Sequence, residues 1–105
     1  MIGSPTLNLK VREVPKKLRH GIYACIATWN KRSRDAVMHF GPRPVFRAGP
    51  ACEVHVLEAF RITPKTVTVE VCKRLRSVRN FPSVEALKRQ IAKDIAQARA
   101  MLADR

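Results

Sequence analysis

The strongest constraint on the fold of this chain is a change of residue period near Pro82. Before it, strand-like segments follow one another with turn residues between them and no helical repeat. Leu9-Lys10-Val11-Arg12 alternates apolar and basic residues until Pro15 interrupts it. Gly21 opens Ile22-Tyr23-Ala24-Cys25-Ile26-Ala27-Thr28-Trp29, rich in β-formers, and a charged turn over 30–35 ends it. Segment 36–40 reads as a short third strand, closed by Gly41-Pro42-Arg43-Pro44, where two close prolines forbid a central strand or helix. Segments 52–60 and 66–72 read as the fourth and fifth strands, with Pro64-Lys65 as a hairpin turn between them. After the change, Val84, Leu87, Ile91, Ile95, Ala98 and Leu102 recur at spacings of three and four, the apolar stripe of one helix. Ser83 is its expected N-cap and Glu85 lies in the first turn, where the helix dipole favours a carboxylate.

Strands in direct succession call for antiparallel pairing, so the expected fold is mainly β: a small antiparallel β-barrel with a C-terminal α-helix packed against it. No linker or repeat divides the chain. Residues 1–105 read as a single domain, with strands over about 9–72 and the helix over about 83–103.

Charge restricts the partners. Twenty-one basic against eight acidic residues give a net charge of +13, which favours polyanions such as nucleotides, RNA or an anionic surface. Clusters occur at Lys16-Lys17-Leu18-Arg19, Lys31-Arg32-Ser33-Arg34 and Lys73-Arg74-Leu75-Arg76, and each reads equally as a solvated loop or strand end. Four Phe, one Tyr and one Trp supply no base-stacking platform. No apolar run is long enough to span a bilayer and no leader pattern opens the sequence. Cys25, Cys52 and Cys72 lack zinc spacing and read as reduced, buried small hydrophobes of a cytoplasmic protein.

Two stretches carry candidate chemistry. Pro5-Thr6-Leu7-Asn8 puts a hydroxyl and a carboxamide two residues apart at a strand entry, a possible oxygen-ligand pair for a hard cation such as magnesium or an ordinary turn. In the fourth strand Cys52, Val54 and Val56 point to one face, and Glu53, His55 and Leu57 to the other. Glu53 is therefore either a general base toward a hydroxyl or a surface charge beside nearby Arg, and His55 on the same face is either its companion or a structural histidine.

The succession Gly3-Ser4-Pro5-Thr6-Leu7-Asn8, Gly21-Ile22-Tyr23, Gly41-Pro42-Arg43-Pro44-Val45-Phe46, Glu53-Val54-His55-Val56, Leu75-Arg76 and Phe81, then Asp94 in the helix, resembles the riboflavin kinase family, in particular the kinase domain of bacterial FAD synthetases. The resemblance runs over nearly the whole chain. It implies a Greek-key, flavokinase-like barrel that transfers the γ-phosphoryl of ATP to the ribityl hydroxyl of riboflavin, forming FMN. It further implies nucleotide binding by Gly3, Thr6 and Asn8, a divalent cation such as Mg2+ at Thr6 and Asn8, and Glu53 as the catalytic base. Arg76 then belongs to the loop that closes over flavin and phosphate.

Several positions depart from the family pattern. Leu7 replaces an alanine, His39 an asparagine, Val45 a threonine and Pro64 a turn glycine. Only Met1 and Ile2 precede Gly3, so the chain is expected to be N-terminally truncated, lacking a first strand and loop as well as the adenylyltransferase domain of bifunctional relatives. The barrel edge so exposed is expected to be covered by self-association or a partner chain. An alternative expectation follows from charge and truncation together: a catalytically degenerate domain serving as a basic binding or structural subunit on RNA or the ribosome. A membrane-surface role ranks behind both.

Overall fold

A computed structural model describes residues 6–10, 13–42, 51–60 and 63–103. Five strands and one helix follow in chain order: β1 Thr6–Leu9, β2 Gly21–Trp29, β3 Arg32–Gly41, β4 Ala51–Val56, β5 Thr68–Arg76 and α1 Val84–Ala103. The strands form one antiparallel sheet in the order β1-β4-β3-β2-β5. Strands β2 to β4 run as a meander and β5 returns beside β2, which is the Greek key the family resemblance implies.

The connections differ in places from the expected ones. Strands β4 and β5 are not neighbours, so Pro64-Lys65 belongs to a crossover rather than a hairpin. The segment past Val56 leaves the ladder, yet Phe60 still packs edge-on against Trp29, with ring centroids 5.1 Å apart. The turn between β2 and β3 is also tighter than a 30–35 loop. Only Asn30 and Lys31 separate the paired Trp29 and Arg32, with φ of 50° and 63°. Left-handed backbone at both central residues matches the twist of the flanking strands, so the ladder extends down to Arg32. At the other end of β3, Gly41 has φ of 139°, and a Cβ there would come within 3.1 Å of His20 and Val78.

Alternation divides the sheet into two faces. One buries Leu7, Tyr23, Cys25, Ala27, Trp29, Ala36, Met38, Phe40, Cys52, Val54 and Val56. The sheet curls around this core: a cavity of about 250 Å³ is lined by Leu9 of one edge strand and by Val69 and Val71 of the other. Among the described residues β1 and β5 are not paired with each other, so the curl is barrel-like without closing. Burial drives the Cys25 and Cys52 thiols up to about 12 and about 11, as befits inert core groups, whereas Cys72 is exposed on β5, contrary to the expectation of three buried cysteines.

The opposite face carries α1, which packs on β2, β3 and β5 through Ala98 and Leu102 against Ile22, Ala24, Ile26 and Val37, with half-buried Leu75 from β5 beside them. Ser83 caps the helix as expected, its Oγ accepting the Ala86 N–H at 3.1 Å. The predicted apolar stripe is only partly used. Val84 is 49% exposed, Leu87, Ile91 and Ile95 are half-buried, and full burial is reached only at Asp94, Ala98 and Leu102.

Candidate functional site

Register assembles the site. Cross-strand partners in an antiparallel ladder share a face, and Thr6 pairs with His55 while Asn8 pairs with Glu53. These four side chains make a two-by-two patch on the helix-bearing face, on the two strands beyond those that α1 covers. Leu7, between Thr6 and Asn8, points the other way and is 6% exposed in the core, so its bulk relative to alanine does not enter the patch. The predicted split of β4 holds: Cys52, Val54 and Val56 are buried on the core side and Glu53 and His55 are half-buried on the other.

Within the patch, Thr6 Oγ1 and His55 Nδ1 lie 2.9 Å apart. Burial pushes the His55 imidazole down from 6.5 to about 4, outweighing the opposing pull of the Glu53 carboxylate, so the ring is neutral at pH 7. Asn8 is exposed, and neither ion pair between described residues engages Glu53. The patch thus offers a hydroxyl, a carboxamide and a carboxylate on one side. Among the described residues no cluster of three or more His, Cys, Asp or Glu side chains could hold a metal alone. A hard cation here would rest on the Thr6 and Asn8 oxygens and on ligand phosphate, a donor set that suits Mg2+, which keeps waters and bridges phosphates.

The ladder continues from Glu53 to His39 on β3, Ile22 on β2 and Arg76 on β5. His39, at the family's asparagine position, is therefore the immediate neighbour of Glu53 and is 8% exposed. Arg76 shares the face but stands three strands from Glu53, roughly 14 Å at the usual strand spacing. Its guanidinium is committed elsewhere: Nε and Nη2 donate to the two Asp94 oxygens at 2.9 and 2.8 Å, and Gln90 donates to the same carboxylate at 3.0 Å. Nη1 donates to the Ser77 carbonyl at 2.9 Å, and Phe81 lies beneath both Arg76 and Arg79, at 5.7 and 5.1 Å. Arg76 thus joins the end of β5, the segment through Phe81 and α1, and it does not meet the β1–β4 patch. The sequence reading places no partner on Asp94, although a carboxylate at a stripe position between Ile91 and Ile95 requires one. Gly3 and residues 43–46 of the expected proline loop lie outside the described residues.

A Greek-key antiparallel sheet, one C-terminal helix and a one-sided polar patch beside it define a small domain of flavokinase type. A family model described as riboflavin kinase (Flavokinase) matches residues 1–102, and the chain belongs to that family. It is 37% identical, over 97% of its length, to a bifunctional riboflavin kinase/FMN adenylyltransferase of Pseudomonas fluorescens, of which it spans 33%. It is 30% identical, over 90% of its length, to a protein of Bacillus subtilis described as the RNA-binding riboflavin kinase RibR, of which it spans 42%. The chain therefore covers between a third and a half of these relatives. In three dimensions it matches a crystal structure described as a macrolide-efflux protein from Streptococcus pneumoniae, with a TM-score of 0.76 and 25% identity over 92% of this chain and 33% of that one. No helix among the described residues is long and apolar enough to cross a membrane.

Proposed function

We propose that the chain is a cytoplasmic riboflavin kinase domain that phosphorylates riboflavin with ATP. The observation that carries this reading is the meeting of Thr6, Asn8 and Glu53, distant in sequence, on one accessible face through the β1–β4 register. Glu53 accepts the proton of the ribityl 5′-hydroxyl as that oxygen attacks the γ-phosphorus. A new O–P bond forms, the bond to the β-phosphate bridging oxygen breaks, and ADP leaves. Thr6 and Asn8 hold the nucleotide phosphates and a divalent cation, Mg2+ in the first instance. When bound, that cation neutralises phosphate charge as transfer proceeds. Gly3 is assigned to nucleotide binding by the family pattern alone. Arg76, anchored by Asp94, sets the position of the segment through Phe81 as the flavin-facing loop. Most of the rate enhancement in such a site comes from positioning and electrostatics.

The test is direct: incubate the purified chain with riboflavin, ATP and Mg2+ and follow FMN by chromatography. FMN is expected, with strong losses in Glu53→Gln and Asn8→Ala. Full activity in both variants would remove this patch from the mechanism, and no FMN from the wild type would remove the enzyme reading.

A second reading is supported by the net charge of +13 and by the description of the Bacillus subtilis relative as RNA-binding. It makes the domain a basic RNA-binding subunit, with or without turnover. Affinity for RNA should then fall steeply as salt rises, and salt-independent or undetectable binding would sink it. Strand addition by a second copy or a partner chain along β1 or β5 is compatible with either reading.

A further inference from the structure

The phosphoryl-transfer chemistry gives His55 no role, yet its ring is in hydrogen-bond contact with one of the proposed cation ligands. We propose that His55 is a positioning residue: its Nδ1 accepts the Thr6 O–H, so that both Oγ1 lone pairs are left for the cation and phosphate side of the patch. The inference rests on the proposed nucleotide–metal role of Thr6.

The argument starts from what a hydroxyl can do. Oγ1 carries one hydrogen and two lone pairs, and its hydrogen rotates to suit its surroundings. A cation takes only lone pairs, so a hydrogen left free to turn toward the metal would oppose binding. Thr is β-branched and stiff at χ1, and Thr6 sits in a strand ladder, so Oγ1 itself is fixed and only the hydrogen remains to be placed. Nδ1, at 2.9 Å on the paired strand, is an acceptor at the right distance. The opposite tautomer would donate Nδ1–H into an Oγ1 lone pair and leave the Thr6 hydrogen to point outward, spoiling the ligand twice. Nε2–H is therefore the functional tautomer. His55 is half-buried and Thr6 likewise, so water competes little for this hydrogen bond.

Two measurements on the full chain test the inference. Long-range 1H–15N correlation spectra at neutral pH, with His55 assigned by its substitution, should show a pyridine-type Nδ1 and a protonated Nε2. A protonated Nδ1 overturns the proposal whatever the activity. Calorimetric titration with Mg2+ and ADP should show affinity falling about 10- to 100-fold in His55→Phe, the usual cost of losing the partner of a metal ligand. His55→Asn, whose Oδ1 can stand near the Nδ1 position as an acceptor, should recover to within about threefold of wild type. Equal affinity in the wild type and His55→Phe overturns the inference while leaving the kinase reading intact. A wild type that neither binds Mg2+ and ADP nor forms FMN overturns both. Should His55→Phe fail to fold, the wild-type tautomer and the His55→Asn affinity decide the matter.

Discussion

On the face of the sheet that carries α1, strands β2 and β3 meet the helix through Ile22, Ala24, Ile26 and Val37 against Ala98 and Leu102, with Leu75 of β5 packed alongside. Further along the same face, β4 and β1 present Glu53, His55, Thr6 and Asn8 instead. Both halves contain polar groups, and the difference lies in how those groups are satisfied. Under the helix, Asp94 is 3% exposed and receives two hydrogen bonds from Arg76 and one from Gln90, a closed set within the chain. On the open half, Asn8 is exposed and Glu53 takes part in neither ion pair between described residues. Closed polar sets hold a fold together, whereas open ones leave bonding capacity for a ligand. Substitutions in the two halves should accordingly separate into stability effects and activity effects.

The sharpest way to break this division is at Glu53. Glu53→Gln keeps the size of the side chain but removes the proposed base, and FMN formation should fall about 10²- to 10⁴-fold. Its melting temperature should stay within about 2 °C of wild type, since no ion pair is lost. A stability loss as large as the activity loss would mean that Glu53 belongs to the structural set. The mirror experiment is Asp94→Ala, which strands the Arg76 guanidinium. Breaking a buried pair from one side costs about 3–5 kcal/mol, and because Arg76 keeps 19% of its side chain exposed, about 2–3 kcal/mol is expected here by denaturant unfolding. An unchanged unfolding midpoint would show that helix and sheet do not depend on this pair.

A third probe uses pH. His55 titrates near 4 in the folded chain against an unperturbed 6.5, so the unfolded chain binds the proton more readily between these values. Its contribution is fully present above about pH 6.5 and is lost as pH falls through about 4, by about 1–3 kcal/mol in total. His55→Asn should flatten that part of the stability profile. A profile unchanged by the substitution would place the ring in water.

Much of this was legible in the residues. The alternation in Cys52-Glu53-Val54-His55-Val56 fixes which side of β4 faces the core, and the change to spacings of three and four locates α1 with its Ser83 cap. Two things were not legible. Strand order depends on non-local pairing, and nothing in Pro64-Lys65 distinguishes a hairpin from a crossover, because proline and lysine suit either. The Arg76–Asp94 pair was hidden for the same reason: the two residues are 18 apart and meet only because β5 lies beneath α1. The site was more accessible, since a cross-strand register turns Thr6, Asn8 and Glu53 into one patch once β1 is known to pair with β4. The thiols show the limit of composition, as Cys72 sits in an apolar alternation like Cys25 yet lies exposed on an edge strand.

The smallest expected effect tests how far the covered half extends. The first turns of α1 are less covered than its end, with Val84 exposed and Leu87 and Ile91 half-buried, so the Ser83 cap is a substantial part of what holds the helix start. Ser83→Ala removes the acceptor for the Ala86 N–H and should cost about 1 kcal/mol. The loss should appear as faster amide exchange at Ala86 and Leu87, with exchange at Ala98 and Leu102 shifted only by the global change. FMN formation should fall less than in Glu53→Gln, because the patch rests on β1 and β4, whereas the cap touches it only through the helix that holds Asp94 against Arg76. If Ser83→Ala instead abolishes turnover while Ala98 and Leu102 stay protected, the start of α1 belongs to the proposed flavin-facing segment, and the boundary between the two halves runs through the helix.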